Sequence, residues 1–110
     1  MKITINHDRH IDAHADRMEH WQSEIATSLE RFADWITRVE VHLTDENSQT
    51  KGGADDIRCL MEARPAGQKP VSVEVRAATP EEAIREGIKT LERRLGTIVD
   101  KARTGKRKPQ

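Results

Sequence analysis

Three successive stretches of this chain alternate apolar and polar residues one by one, and that period constrains its fold more than any other feature. From Ile36 to Thr44, the residues Val39, Val41 and Leu43 fall on one side and Arg38, Glu40, His42 and Thr44 on the other. Ile57, Cys59, Met61 and Ala63 alternate with Arg58, Leu60, Glu62 and Arg64. Val71, Val73, Val75 and Ala77 then alternate with Ser72, Glu74, Arg76 and Ala78. A two-residue period belongs to a strand with one buried face. Ile3 and Ile5, set among Lys2, Thr4 and Asn6, predict a further short strand at the N-terminus. Strands of this kind leave one face that a second layer must cover.

Two amphipathic segments predict that layer. Between Ala13 and Ala33, the residues Met18, Trp21, Ile25, Leu29 and Phe32 step by three and four, which draws one apolar stripe along a helix. Asp12 or a neighbour is expected to cap its start. Its other faces carry Asp16, Glu19, Glu24 and Glu30 against Arg17 and Arg31, so the helix is acidic. The second segment opens with Thr79-Pro80-Glu81-Glu82, a helix start with a capping hydroxyl, proline at the first helical position and a carboxylate three residues after the cap. Ile84, Ile88, Leu91, Leu95, Ile98 and Ala102 continue it as one stripe. It should run for about 24 residues, on the order of 36 Å. Asp45 to Asp56 breaks every pattern and reads as a long hairpin loop, and Pro65 to Pro70 reads as a turn. The order is β-α-β-β-β-α. It predicts an α+β fold: a two-layer sandwich, with a four-stranded sheet and both helices on one face. Residues 1–103 are expected to form a single domain, and 104–110 a basic, disordered tail.

Composition bears on function through charge. The chain has no net charge, with 19 basic and 19 acidic residues. Met1 to Pro80 holds 10 basic and 14 acidic residues, whereas Glu81 to Gln110 holds 9 basic and 5 acidic. The C-terminal third is therefore open to a polyanion partner despite the neutral total. A single cysteine, Cys59, allows no disulfide within the chain and fits a reducing cytoplasm. Met1 to Asn6 is too short in apolar residues for a signal peptide, and no apolar run is long enough to span a bilayer.

The strand and loop Ile36-Thr37-Arg38-Val39-Glu40-Val41-His42-Leu43-Thr44-Asp45-Glu46-Asn47 resembles the second strand of the ribosome hibernation-promoting factor family. That family includes the ribosome-associated inhibitor and carries the older name of sigma-54 modulation protein. Arg58-Cys59-Leu60-Met61-Glu62-Ala63-Arg64 and Leu91-Glu92-Arg93-Arg94-Leu95 look like its following elements, and the element order matches from Met1 to about Lys101. The resemblance implies a fold similar to double-stranded RNA-binding domains. It implies a stress or stationary-phase role, binding to the small ribosomal subunit where messenger and transfer RNA lie, and inhibition by occupancy without catalysis. It implies no cofactor, no small-molecule substrate, no membrane, and a monomer off the ribosome. Better-known members have a basic first helix where this one is acidic. The sequence stops after the second helix, where longer members carry a further domain that pairs ribosomes, so pairing by that route is not expected.

Within this frame Arg85, Lys89, Arg93, Arg94 and Lys101 are the expected phosphate contacts, joined by Arg103, Lys106, Arg107 and Lys108 in the tail. The competing account is a solvated helix face, with Arg85 paired to Glu81 four residues earlier. His7, His10, His14 and His20, with Asp8, Asp12 and Asp16, suggest metal ligands, but their spacing forces no third ligand, and exposed histidines at a helix start account for them. Cys59 reads as a core thiol, and Trp35 as a packing residue at the junction of helix and strand. Lys51-Gly52-Gly53 lacks the frame of a phosphate loop. The alternative function is the same fold without ribosome binding, serving as a stress-related protein-interaction module. The acidic first helix favours it.

Overall fold

Each alternating segment is a strand, and each amphipathic segment a helix. The computed structural model describes residues 1–46 and 57–106, with side chains described through Lys101. Its elements are β1 (Lys2–His7), α1 (Ala15–Ser28), β2 (Ile36–Asp45), β3 (Ile57–Pro65), β4 (Val71–Ala77) and α2 (Pro80–Lys106). The strands form one sheet in the order β1-β2-β3-β4. β1 and β2 are parallel, and the other two pairings are antiparallel. Parallel neighbours cannot be joined by a tight turn. The chain must return across the sheet between them, and α1 is that return.

The core lies between this sheet and the helices. Val39, Val41, Cys59, Met61 and Ala63 are fully buried from the strand side, and Trp21, Ile25, Leu29, Ile84, Leu91 and Leu95 from the helix side. Ile98 and Val99 are partly buried against the same cluster. The expected two-layer architecture holds, and the outward residues of the sheet are half-buried or exposed. The expected hairpin loop lies outside the described residues from position 47 to 56. The backbone of α2 is helical through Lys106, and 107–110 also lie outside the described residues.

The first helix differs from the single segment expected between Ala13 and Ala33. α1 stops at Ser28, Leu29 leaves helical geometry at φ −101° and ψ 14°, and a 3-10 turn occupies Glu30–Phe32. The Leu29-to-Phe32 step of three residues fits an α-helix and a 3-10 turn equally. The tighter turn brings Phe32 into the core, and the Trp35 N–H then donates to the Phe32 carbonyl at 2.9 Å. The expected cap is also different. His14 stands at the N-cap of α1 with no side-chain capping bond. Asp12 is held by Arg17, whose Nη1 donates to the Asp12 carbonyl at 2.6 Å and lies 3.3 Å from its carboxylate.

Gly87 sets how closely α2 approaches the sheet. A Cβ at this position would lie 3.0 Å from Cε and 3.1 Å from Sδ of Met61, and 3.4 Å from Sγ of Cys59. The missing side chain thus lets the helix rest directly on β3. Gly87→Val should lower stability by about 1–3 kcal/mol through overpacking. In urea denaturation, Gly87→Val combined with Met61→Ala should lose less than the sum of the two single changes, because the shortened residue 61 leaves room for the new branches. Simple additivity would show that this contact does not set the helix position.

Candidate nucleic-acid interface

The candidate basic residues depend on where α2 starts and which way it runs. Thr79 caps it as expected: its Oγ1 accepts from the Glu82 N–H at 3.1 Å, and its carbonyl accepts from the Ala83 N–H at 2.9 Å. From that point α2 runs back along β4. Its 27 residues span about 40 Å, against about 24 Å for the 7 residues of β4. The last turns therefore extend beyond the paired part of the sheet, at the end where β1 and β2 begin.

Lys89, Arg93, Arg94 and Lys101 are exposed on this helix, and none has an ion-pair partner among the described residues. They do not share one face. At about 100° per residue, Arg85 and Arg94 lie half a turn apart, on opposite flanks. Arg85 differs from the other four. It does not take Glu81 as its partner; its Nε lies 3.7 Å from Glu24 of α1. Glu81 is bound instead by Arg17, whose Nε donates to Oε2 at 3.1 Å. The Arg17 guanidinium also stacks over Trp21, 5.0 Å from the ring centroid. Glu24 of α1 thus faces one cation of α2, and Arg17 of α1 faces one of its carboxylates. Side chains of Arg103 and Lys106, and all of Arg107 and Lys108, lie outside the described residues.

Arg31 joins the candidates from outside α2. It stacks on Phe32 at 4.4 Å, and its Nη2 lies 3.4 Å from where a Cβ on Gly96 would be. Gly96 is about one turn after both Glu92 and Arg93, so Arg31 packs on the stretch of α2 that carries them. Nothing in the spacing of the acidic first segment signals this, because the neighbour is supplied by tertiary packing. The contacts Arg17–Glu81, Arg85–Glu24 and Arg31–Gly96 ascend together in both helices, so α1 and α2 run in the same direction. Their N-termini share one end of the molecule with Asp8, Asp12, Asp16, Glu81 and Glu82. Their C-termini share the other with Arg31, Arg93, Arg94 and Lys101, interspersed with Glu30, Asp34, Glu92 and Asp100.

The sequence profile of the sigma 54 modulation protein / S30EA ribosomal protein family matches residues 4–103. The chain belongs to this family. Among solved structures it is similar to the N-terminal domain of Protein Y from Thermus thermophilus, with a TM-score of 0.68 and 19% identity, covering 89% of this chain and 99% of that one. It is also similar to a ribosomal subunit interface protein from Coxiella burnetii, with a TM-score of 0.68 and 12% identity over 91% and 99% of the two chains. No curated protein matches by sequence.

Burial pushes the Cys59 thiol up to about 12, which keeps it protonated and unreactive. His7, His10, His14 and His20 are exposed, and no group of three or more possible metal ligands occurs among the described residues. Trp35 is partly buried against the core. Among the described residues no helix is long and apolar enough to cross a membrane.

Glu81 carries the clearest electrostatic perturbation between the helices. Burial raises its pKa, but hydrogen bonds from Arg17, a backbone amide and the Trp21 indole lower it, and the net direction is down. A carboxylate whose pKa is lower in the folded state contributes stability above its unfolded value, and loses it as pH falls through the folded value. Glu81→Gln should therefore reduce stability at neutral pH, and the gap to wild type should close as the pH falls below the ordinary carboxylate range. Thermal melts across that range test the sign. A constant gap at every pH would assign the loss to packing rather than to charge.

Proposed function

We propose that this domain is a ribosome-associated hibernation factor. It docks on ribosomal RNA of the small subunit and excludes messenger and transfer RNA by occupying their cleft. It acts in the cytoplasm as a monomer, under stress or in stationary phase, and performs no catalysis. The observation that carries this reading is the set of exposed cations on α2 without ion-pair partners, Lys89, Arg93, Arg94 and Lys101, on a family domain whose structural neighbours include a ribosomal subunit interface protein. Cations already bound to carboxylates release few counterions on meeting phosphate, whereas free ones give a steep salt dependence. Arg85, half-neutralised by Glu24, contributes less than the others.

The Glu24–Arg85 and Glu81–Arg17 pairs favour one alternative, a protein-interaction module that has lost ribosome binding. Co-sedimentation with purified ribosomes across a salt series separates the two. Four phosphate contacts predict a log–log slope of about −3 to −4, or roughly a 100-fold loss of affinity between 50 and 200 mM salt. Arg93→Glu/Arg94→Glu should reduce retention about tenfold or more at low salt. Undiminished retention of this variant would overturn the assignment to α2. No retention of the wild type at any salt would favour the interaction module.

A further inference from the structure

The outward face of the sheet carries a charge pattern that only the strand register reveals. Lys2 on β1 lies directly across from Arg38 on β2, and Arg38 directly across from Arg64 on β3. The three cations form a row spanning about 10 Å across the strands. One pleat further along, Glu40 lies directly across from Glu62. Like charges placed opposite one another destabilise a sheet. The pairs along each strand offset this only partly: Arg38 Nε is 3.4 Å from Glu40, and Arg64 Nη2 is 3.2 Å from Glu62. Distance and geometry disagree at Arg38. Its Nε is within ion-pair range of Glu40, yet the N–H is misaligned and has no hydrogen-bond acceptor among the described residues. Geometry decides here, because a misdirected N–H is not satisfied by a nearby charge. Lys2 has no ion-pair partner among the described residues.

The row lies at the end of the sheet where β1 and β2 begin and β3 finishes, which is also the end that α2 overshoots. Lys69, in the turn from β3 to β4, is exposed at the same end. We propose that the Lys2–Arg38–Arg64 row on the open sheet face is a second contact surface for the phosphodiester backbone of RNA. It acts together with the C-terminal half of α2, so that the domain grips RNA by one end, from both of its layers. A run of phosphates meets the exposed ends of these side chains and relieves the repulsion along the row, whereas the buried Arg38 Nε stays turned away from it. The inference rests on the ribosome-docking reading given above.

The test uses the full chain with two probes, purified ribosomes and protein-free ribosomal RNA. Lys2→Gln/Arg38→Gln/Arg64→Gln changes only outward side chains, and a thermal melt establishes that the variant folds. It should bind both probes at least about fivefold more weakly at low salt, with a salt slope shallower by about 1, because Glu40 and Glu62 already partly neutralise Arg38 and Arg64. Glu40→Gln/Glu62→Gln frees Arg38 and Arg64, and should bind both probes more tightly than wild type. If the wild type binds with a steep salt slope while both variants match it, the sheet row is not a contact and the docking reading stands. If the triple variant weakens binding to ribosomes but not to protein-free RNA, the row meets a ribosomal protein, and the phosphate assignment is overturned. If the wild type itself binds neither probe, the docking reading and this inference fall together.

Discussion

The parallel pairing of β1 with β2 governs the rest of the molecule. It requires a crossover, and the crossover is α1. β4 is antiparallel to β3, which is antiparallel to β2, so β4 runs parallel to β2 and β1. The helix that follows it must therefore return in the same direction as α1. Two helices side by side with common polarity add their macrodipoles. The chain meets this with carboxylates in the first turns of both, Asp16 in α1 and Glu81 and Glu82 in α2. The distribution of charge is thus tied to the strand order and is no independent surface ornament.

The acidity of α1 has a structural reason within this arrangement. Glu24 reaches Arg85, and Arg17 reaches Glu81, so each helix supplies the other's counter-charge along their shared flank. Arg17 also lies against Trp21, so the inter-helix pair rests on a core residue. Viewed on its own, α1 is an acidic segment without purpose. Paired with α2, it fixes how the two helices lie together and leaves the far half of α2 with its cations unpaired.

The period-two and period-three-to-four patterns made the fold legible, because burial of one face leaves a direct trace in the order of residues. Val39, Val41 and Leu43, or Ile84, Ile88 and Leu91, admit one arrangement each. The break at Leu29 was not legible, since a step of three residues suits both helix types and the choice was made by how Phe32 reaches the core. The candidate site was legible only in composition. The cations of α2 are visible as a basic C-terminal third, but Arg85's partner is on another helix, and Arg31's position against Gly96 is a product of packing. Cross-strand neighbours such as Lys2, Arg38 and Arg64 are separated by tens of residues in the chain, and no local window contains them.

The unpaired cations of α2 have a kinetic side. With no net charge, the molecule is neither attracted nor repelled by a distant polyanion. Close to such a surface, within a screening length of roughly 8 Å, the unpaired Lys89, Arg93, Arg94 and Lys101 are attracted more strongly than the flank where Arg17 and Arg85 are already paired. On the docking reading, this bias favours encounters that begin with the far half of α2. A larger fraction of encounters then begins in a productive orientation, which raises the association rate without the non-specific adhesion that a uniformly basic protein would suffer.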